Sequence, residues 1–272
     1  MRIAVMADIH GNPIALDAVL EDVGAQGGAD EYWVLGDLVA LGYDPVGVLE
    51  RLARLPSAVY VRGNTDRYVV TGERPGPWPA EAEMDPSLVA RVVEISGNFA
   101  WTQGAVLATG WADWLAALPL EQHLTLPDGT RVLLVHAAPG MDDGWGFRPD
   151  LDEAAAARLL MDRGAGLVCV GHTHCPQDRQ VGGVRVVNPG GVSNPSPPDL
   201  RASYALLEAD ARGYAVTLRR AEYDRAAVLA EIDRVCHPAA GYLRQFMLGQ
   251  YRPPWASPHD PAPGRRGAPD RE

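Results

Sequence analysis

The chain contains no lysine, and each of its 24 basic residues is an arginine. This absence excludes a P-loop, which needs a lysine on the nucleotide phosphates, and a catalytic lysine Schiff base. The arginines are outnumbered by 35 acidic residues, which gives a formal charge of -11. A nucleic-acid coat or an anionic membrane would need a basic surface, so we expect neither as a stable partner.

Cysteine and long apolar segments are also scarce. The three cysteines, Cys169, Cys175 and Cys236, lack the paired spacing of a zinc ribbon or of a disulfide framework. No apolar run approaches the roughly 18 residues of a membrane span, and the first residues do not resemble a signal peptide. We therefore expect a cytoplasmic protein without a membrane partner, of unknown oligomeric state.

The length of 272 residues allows a substantial core, and no linker rich in proline or serine divides the middle of the chain. We therefore predict one domain over residues 1–250, followed by a disordered proline-rich tail over 251–272. Residues 72–119 predict an insertion, with a proline-rich loop before two helices at 88–100 and 111–118. The insertion is either a lid or substrate wall, or a helical layer that only packs.

Five apolar segments typical of buried strands each end in polar residues, and helical patterns after Pro13 and Pro45 separate the first three. Strands that alternate with helices predict a parallel sheet, in which ligands bind beyond the carboxyl ends of the strands. We therefore expect the polar residues to face one crevice. In chain order they are Asp8 and His10, Asp37, Asn64 with Thr65 and Asp66, His136, and His172 with His174.

The ligand types in this set indicate a transition-metal site. Asp8 and His10 are two residues apart, so in an extended segment their side chains point the same way. Carboxylate, imidazole and amide oxygen together suit Mn²⁺, Fe or Zn²⁺, whereas Ca²⁺ prefers oxygen ligands alone.

The ordered blocks D-x-H, G-D, G-N-x-D, H and G-H-x-H resemble those of the calcineurin-like metallophosphoesterases, in particular a bacterial branch of small phosphodiesterases. The resemblance runs from Asp8 to His174, and Asn188-Pro189-Gly190 looks like the N-P-G segment of that family. It implies an α/β fold in which two mixed sheets form a four-layer α-β-β-α sandwich with a helical insertion.

The resemblance also implies two divalent metal ions, with Mn²⁺ expected and Fe, Zn, Ni or Co as alternatives. Two ions about 3.5–4 Å apart can convert a bridging water to hydroxide, which attacks the phosphate in line. Asp37 is implied as the bridging ligand. The residues implied for one ion are Asp8, His10, Asp37 and His174, and those for the other are Asp37, Asn64, His136 and His172. The implied catalytic residues are Asp37, Asn64, His136 and Asp66, with Asp66 orienting a ligating histidine.

Thr65 departs from the family pattern, because many members carry a histidine that is thought to contact phosphate and protonate the leaving oxygen. Threonine cannot supply a proton near neutral pH. We therefore predict a small phosphate-ester substrate with a good leaving group, such as a phosphodiester or an aryl phosphate. The predicted substrate contacts are Asn64, Thr65, Arg67 and Arg148.

Two other functions are compatible with the same residues. A phosphomonoesterase, including a protein serine/threonine phosphatase, would use the same metal centre. A non-catalytic scaffold would keep the fold in order to bind a partner. Because every implied ligand position is filled, the sequence favours an enzyme.

Overall fold

The structure is a computed structural model that describes residues 1–161 and 163–253. One five-stranded sheet has the order β10-β9-β1-β2-β3. Its strands are β1 (Arg2–Met6), β2 (Glu31–Val34), β3 (Ala58–Tyr60), β9 (Ala202–Asp210) and β10 (Gly213–Ala221). The first three run parallel, whereas β9 is antiparallel to both β1 and β10. The predicted parallel strands therefore form three of the five strands of a mixed sheet.

The second five-stranded sheet has the order β4-β5-β6-β8-β7. Its strands are β4 (Glu121–Thr125), β5 (Arg131–Val135), β6 (Leu167–Cys169), β7 (Gln177–Val181) and β8 (Val184–Asn188). The strands β5, β6 and β8 are parallel, and antiparallel strands flank them on both edges. The strands β4 and β5 form an antiparallel hairpin.

The two sheets face each other across an apolar layer. Val5 and Trp33 from the first sheet pack in one cluster with Leu134 and Cys169 from the second. The alternate strand residues, such as Met6 and Leu133, face outward and are covered by helices. The predicted four-layer sandwich of two mixed sheets is therefore confirmed.

Nine α-helices occur in the described ranges 1–161 and 163–253. They are α1 (Pro13–Ala25), α2 (Pro45–Leu52), α3 (Asn64–Thr71), α4 (Pro79–Met84), α5 (Val89–Ala108), α6 (Ala112–Ala116), α7 (Glu153–Leu160), α8 (Arg225–Arg234) and α9 (Ala240–Met247). The predicted starts of α1 and α2 are confirmed by their caps, because Asn12 accepts a hydrogen bond from Ala15 N and Asp44 accepts one from Gly47 N. None of the helices in these described ranges is long and apolar enough to cross a membrane.

Several elements differ from the prediction. The insertion contains α4 within the expected loop, and α5 continues to Ala108 instead of ending near Ala100. The strand β7 was not predicted because its sequence, QDRQV, has little apolar character, and it lies at an edge of its sheet. Residues 254–272 of the predicted disordered tail lie outside the described residues.

Candidate metal centre

The predicted ligands follow β1, β2, β3, β5 and β6, at the carboxyl ends of parallel strands. Asn64 is the first residue of α3, and the others lie in loops. Five of them adopt the left-handed region that non-glycine residues rarely occupy. Their φ angles are 55° for Asp8, 47° for His10, 53° for Asp37, 69° for His172 and 56° for His174. The predicted extended conformation of Asp8 and His10 is therefore wrong. A sharp turn after each strand brings the side chains together.

The close approach of the second and third loops requires glycine. A Cβ atom at Gly63 would lie 2.1 Å from Asp37 Oδ1 and 2.2 Å from Asp37 N. A Cβ atom at Gly36, whose φ is +83°, would lie 2.5 Å from Gly63 N. The glycines of the G-D and G-N blocks therefore let the backbone after β3 contact the Asp37 carboxylate.

Asp8, His10 and His174 form one group of potential metal ligands. The Nε2 atoms of His10 and His174 lie 3.1 Å apart, and His174 Nε2 is 3.6 Å from Asp8 Oδ1. Asp8 is fully buried and His10 is 1% exposed. Asp8 Oδ2 and His10 Nδ1 have no hydrogen-bond partner among the described residues. Buried polar atoms are normally paired, so a cation fits this group.

Asn64 and two histidines form a second group around Asp37. Asn64 Oδ1 lies 3.2 Å from His136 Nε2 and 3.1 Å from His172 Nδ1. Asp37 Oδ1 lies 3.4 Å from His136 Nε2, and Asp37 Oδ2 lies 3.6 Å from His10 Nε2 of the first group. The Asp37 carboxylate therefore lies between the two groups, where the implied bridging ligand should be.

Backbone carbonyls orient three of the histidines. His136 Nδ1 lies 2.6 Å from Leu35 O, and His174 Nδ1 lies 2.9 Å from Asn194 O. His172 Nε2 lies 2.8 Å from Gly144 O. Because a carbonyl only accepts, each of these ring nitrogens carries a proton and leaves the other nitrogen to face the centre.

Burial and neighbouring charges shift the titration of the centre. Burial lowers the pKa of His10 to about 4, although Asp37 opposes this effect. Burial also favours a lower pKa for His136, but the charge and hydrogen bond of Asp37 prevail and raise it to about 10. Burial would raise the pKa of Asp37, yet His136, His10 and His172 hold it well below its usual range. At neutral pH an ionised Asp37 therefore pairs with a protonated His136, and a metal ion bound by both would displace the His136 proton.

The chemistry of the two groups suits divalent cations. The ligand atoms of Asp8, His10 and His174 lie within 4.8 Å of one another, as do those of Asp8, Asp37 and His136. Asp8 belongs to both of these three-residue sets. The family resemblance instead makes Asp37 the ligand that the two ions share. The mixture of carboxylate and imidazole is typical of Mn²⁺, Fe or Zn²⁺ sites.

Among the described residues, Asp66 forms no hydrogen bond with a histidine, contrary to the prediction that it orients a ligating histidine. Its carboxylate accepts three backbone hydrogen bonds, from Leu38 N at 2.9 Å, Val39 N at 3.2 Å and Gly63 N at 3.0 Å. It is fully buried, and burial together with the charge of Asp37 raises its pKa to about 7. Asp66 therefore joins the loops after β2 and β3 through hydrogen bonds to their backbone.

The guanidinium group of Arg67, a predicted phosphate contact, binds acidic side chains in this structure. Its Nε donates to both oxygens of Asp142 at 3.1 Å, and its Nη2 donates to Asp143 at 3.2 Å. Its Nη1 contacts Glu73. Three acidic side chains therefore bind the Arg67 guanidinium group.

Arg148 is likewise engaged away from the centre. Its Nε lies 2.9 Å from Asp150 Oδ1, and its guanidinium lies 4.4 Å from the ring centroid of Trp145. Neither Arg67 nor Arg148 lines the cavity beside the metal ligands in the described part of the chain. Sequence reasoning could not foresee this, because an arginine that follows a ligand residue can turn toward or away from the site.

A cavity of about 160 Å³ opens onto both groups. Its lining residues are His10, Asp37, Leu41, Asn64, Thr65, His172, Thr173, His174, Ser196, Tyr242, Phe246 and Tyr251. The three aromatic residues come from α9 and the segment after it, and the sequence analysis did not single them out. The i, i+4 spacing of Tyr242 and Phe246 was visible, but it is also typical of ordinary core packing.

The insertion does not form the wall of this cavity. None of its residues is among the lining residues in the described part of the chain. Its long helix α5 packs instead behind the three aromatic residues of the cavity. Arg91 of α5 lies 4.4 Å from the ring centroid of Tyr242, and Trp101 of α5 contacts His237. In this structure α5 therefore contacts the residues behind the cavity.

The loop over residues 138–147 positions His172. Gly144 O accepts from His172 Nε2, and a Cβ atom at Gly146 would lie 3.1 Å from the His172 ring. Asp142 anchors this loop, because it accepts hydrogen bonds from Arg62 Nε at 2.8 Å and from Arg67 Nε at 3.1 Å. The Asp142 side chain is only 7% exposed, so the two contacts are shielded from water.

We expect Asp142→Asn to weaken the binding of Mn²⁺ to the purified chain by about tenfold, since lost support of a ligand typically costs 10–100-fold in metal affinity. Titration calorimetry would measure the effect. The matched control is Asp150→Asn. Asp150 pairs with Arg148 just after this loop and is more exposed than Asp142, so its substitution should leave the Mn²⁺ affinity unchanged. Equal affinities in the Asp142 variant and the unmodified chain would contradict this role.

Comparisons with known proteins agree with this architecture. A model of the calcineurin-like phosphoesterase superfamily domain matches residues 1–212. An uncharacterised protein of Methanocaldococcus jannaschii is 28% identical over 244 residues, which are 82% of this chain and 88% of that protein.

Two crystal structures are similar over most of the chain. A metallophosphoesterase from Sphaerobacter thermophilus has a TM-score of 0.69 at 27% identity and covers 92% of this chain and 100% of its own. A hypothetical protein from Pyrococcus horikoshii OT3 has a TM-score of 0.73 at 21% identity, and the match covers 92% of this chain and 97% of that protein. Because the match to the superfamily domain covers residues 1–212 of the 272 in this chain, the chain belongs to the calcineurin-like phosphoesterase superfamily.

Proposed function

We propose that this chain is a binuclear-metal phosphoesterase that hydrolyses small phosphate esters and prefers phosphodiesters and aryl phosphates to alkyl monoesters. The observation that carries this proposal is the convergence of seven side chains from five strand ends onto one buried centre that opens into a cavity. These side chains are Asp8, His10, Asp37, Asn64, His136, His172 and His174.

Each ligand would have a separate role. Asp37 would ligate both ions, because its carboxylate offers one oxygen toward His136 and the other toward His10. Asn64 would hold an ion through Oδ1, beside His136 and His172. Divalent ions at such a site neutralise the charge of a phosphate and lower the pKa of water. Hydrolysis then needs no covalent intermediate on a side chain.

The size of the cavity supports a small substrate. A volume of about 160 Å³ is below the roughly 300–1,000 Å³ of pockets that hold drug-sized ligands. A protein serine/threonine phosphatase would need a groove that admits a peptide. The cavity therefore favours a small ester over a phosphoprotein.

Thr65 supports the preference for good leaving groups. Its hydroxyl donates to Val39 O at 3.0 Å, and the residue is only 4% exposed. Its backbone N donates to Asp37 Oδ1 at 2.9 Å. Thr65 thus lines the cavity with its hydroxyl proton already engaged and offers no general acid.

We expect Thr65→His to raise the turnover of alkyl phosphate monoesters at least about tenfold relative to aryl phosphates, because general acid catalysis typically contributes 10²–10⁴-fold. Steady-state rates with methyl phosphate and 4-nitrophenyl phosphate would give the ratio. Thr65→Val removes the hydroxyl at nearly constant shape and should not change it. An unchanged ratio in the histidine variant would refute the explanation based on the leaving group.

The proposed function is tested with a panel of phosphomonoesters, phosphodiesters and cyclic nucleotides, assayed with Mn²⁺, Zn²⁺, Ni²⁺ or Co²⁺ and with a chelator. We expect hydrolysis of diesters and aryl esters, highest with Mn²⁺ and absent with the chelator. Folded protein that hydrolyses no ester with any of these metals would contradict the proposal.

A further inference from the structure

The cavity wall that complements the metal ligands is aromatic. Tyr242 and Phe246 lie one turn apart in α9, and Tyr251 follows the helix. All three lie beyond residue 212, where the match to the family domain ends. The wall is therefore built by a part of the chain outside the matched domain.

The three rings hold one another in place. The ring centroids of Phe246 and Tyr251 are 4.2 Å apart with an interplanar angle of 33°. Tyr242 contacts both rings edge-on, at centroid distances of 5.1 Å and 6.2 Å. Phe246 is only 4% exposed, whereas Tyr242 and Tyr251 are half-buried. The two tyrosines therefore offer the accessible ring surface.

The rest of the protein fixes this wall from behind. Arg91 of the insertion lies over the Tyr242 ring. Leu243 and Met247 of α9 pack in one apolar cluster with Val228 of α8, and Arg225 donates to Met247 O at 2.7 Å. A wall held in this way is preorganised, so a ligand need not order it on binding.

Apart from the metal ligands, no residue that lines the cavity is charged in the described part of the chain. The remaining lining residues are Leu41, Thr65, Thr173, Ser196 and the three aromatic residues. A charged group on the substrate other than its phosphate would lose its hydration in this cavity and would find no residue of opposite charge. An uncharged aromatic ring could instead pack against the tyrosine rings in an offset or edge-on arrangement.

We propose that Tyr242, Phe246 and Tyr251 form a subsite for one uncharged planar aromatic group of the substrate, with its phosphate directed to the metal ligands. This inference rests on the proposed phosphoesterase function and adds the chemical class of the ester. The cavity volume limits the group to a single small ring system. The three aromatic residues are specificity-determining residues under this proposal.

The test compares benzylphosphonate with cyclohexylmethylphosphonate, which differ in the aromatic character of the ring and have no leaving group. Calorimetry with the Mn²⁺-loaded full chain measures both dissociation constants. We expect benzylphosphonate to bind roughly fivefold more tightly, since aromatic pairs are worth about 0.5–1.5 kcal/mol beyond their buried area. In Tyr251→Leu and Tyr242→Leu the ratio should fall to about one, whereas Tyr251→Phe should keep it.

The control is Tyr214→Leu, the same substitution at a half-buried tyrosine of β10 that does not line the cavity. Thermal denaturation verifies that each variant is folded. Equal affinities of the unmodified chain for the two phosphonates, or a ratio unaffected by both leucine variants, would overturn the subsite. Hydrolysis of the ester panel described above, which includes 4-nitrophenyl phosphate, is measured in parallel. Its absence with every metal would overturn the phosphoesterase function itself, whereas hydrolysis with equal phosphonate affinities would overturn the aromatic subsite alone.

Discussion

Asp37→Asn is expected to lower kcat/KM for phosphate-ester hydrolysis by at least about 10³-fold, which corresponds to about 4 kcal/mol of lost transition-state stabilisation. Asp37 is 3% exposed and lies between the two ligand groups, 3.4 Å from His136 Nε2 and 3.6 Å from His10 Nε2. Asparagine keeps the shape but has one oxygen and no charge, so it cannot bind two cations. Steady-state kinetics and the metal content per chain, measured by plasma mass spectrometry, would check the result.

The matched control is Asp17→Asn. Asp17 also binds partners through both carboxylate oxygens, because Arg51 Nε and Nη2 donate to them, but its side chain is 45% exposed on α1. Exposed ion pairs contribute little, so this variant should retain full activity and metal content. If Asp37→Asn kept two ions and the activity of the unmodified chain, Asp37 would not be the bridging ligand.

Asp66→Ala is expected to lower the free energy of unfolding by about 3–6 kcal/mol. The substitution leaves three buried backbone N–H groups, those of Leu38, Val39 and Gly63, without an acceptor. Each unsatisfied buried donor typically costs about 1–3 kcal/mol. Urea denaturation at an unchanged slope would measure the loss.

The comparison for this effect is Asp152→Ala. Asp152 accepts one backbone hydrogen bond, from Ala155 N at 2.7 Å, at the exposed start of α7. Loss of a helix cap of this kind costs about 1 kcal/mol. Equal destabilisation by the two variants would show that Asp66 acts only as a local cap and does not join two loops.

The sandwich and the cluster could be predicted because their signals are local. A short apolar run predicts a buried strand, and a polar residue at the end of that run predicts a candidate ligand. The unpredicted helix α3 shows where local signals fail. Its sequence, NTDRYVVT, is rich in β-branched residues that disfavour helices, and burial of Tyr68 and Val69 outweighs that preference.

The side-chain partners of Arg67 and Asp66 could not be predicted for a different reason. Arg67 pairs with Asp142, which is 75 residues away, and Asp66 binds Leu38 N, which is 28 residues away. Both residues lie within three positions of the predicted ligand Asn64, so their neighbours in the sequence suggested a role in the site. Long-range contacts of this kind depend on how the loops are packed, which local patterns do not encode.

By itself, the sequence determined which side chains gather at the carboxyl ends of the strands, because the alternation of apolar strands and helices sets the direction of each strand. Only the tertiary structure decided how these side chains are aimed and what surrounds them. The left-handed turns at Asp8, His10 and Asp37 arise where loops pack against each other. The aromatic wall arises because the helix α9, more than 60 residues after His174, packs beside the metal ligands.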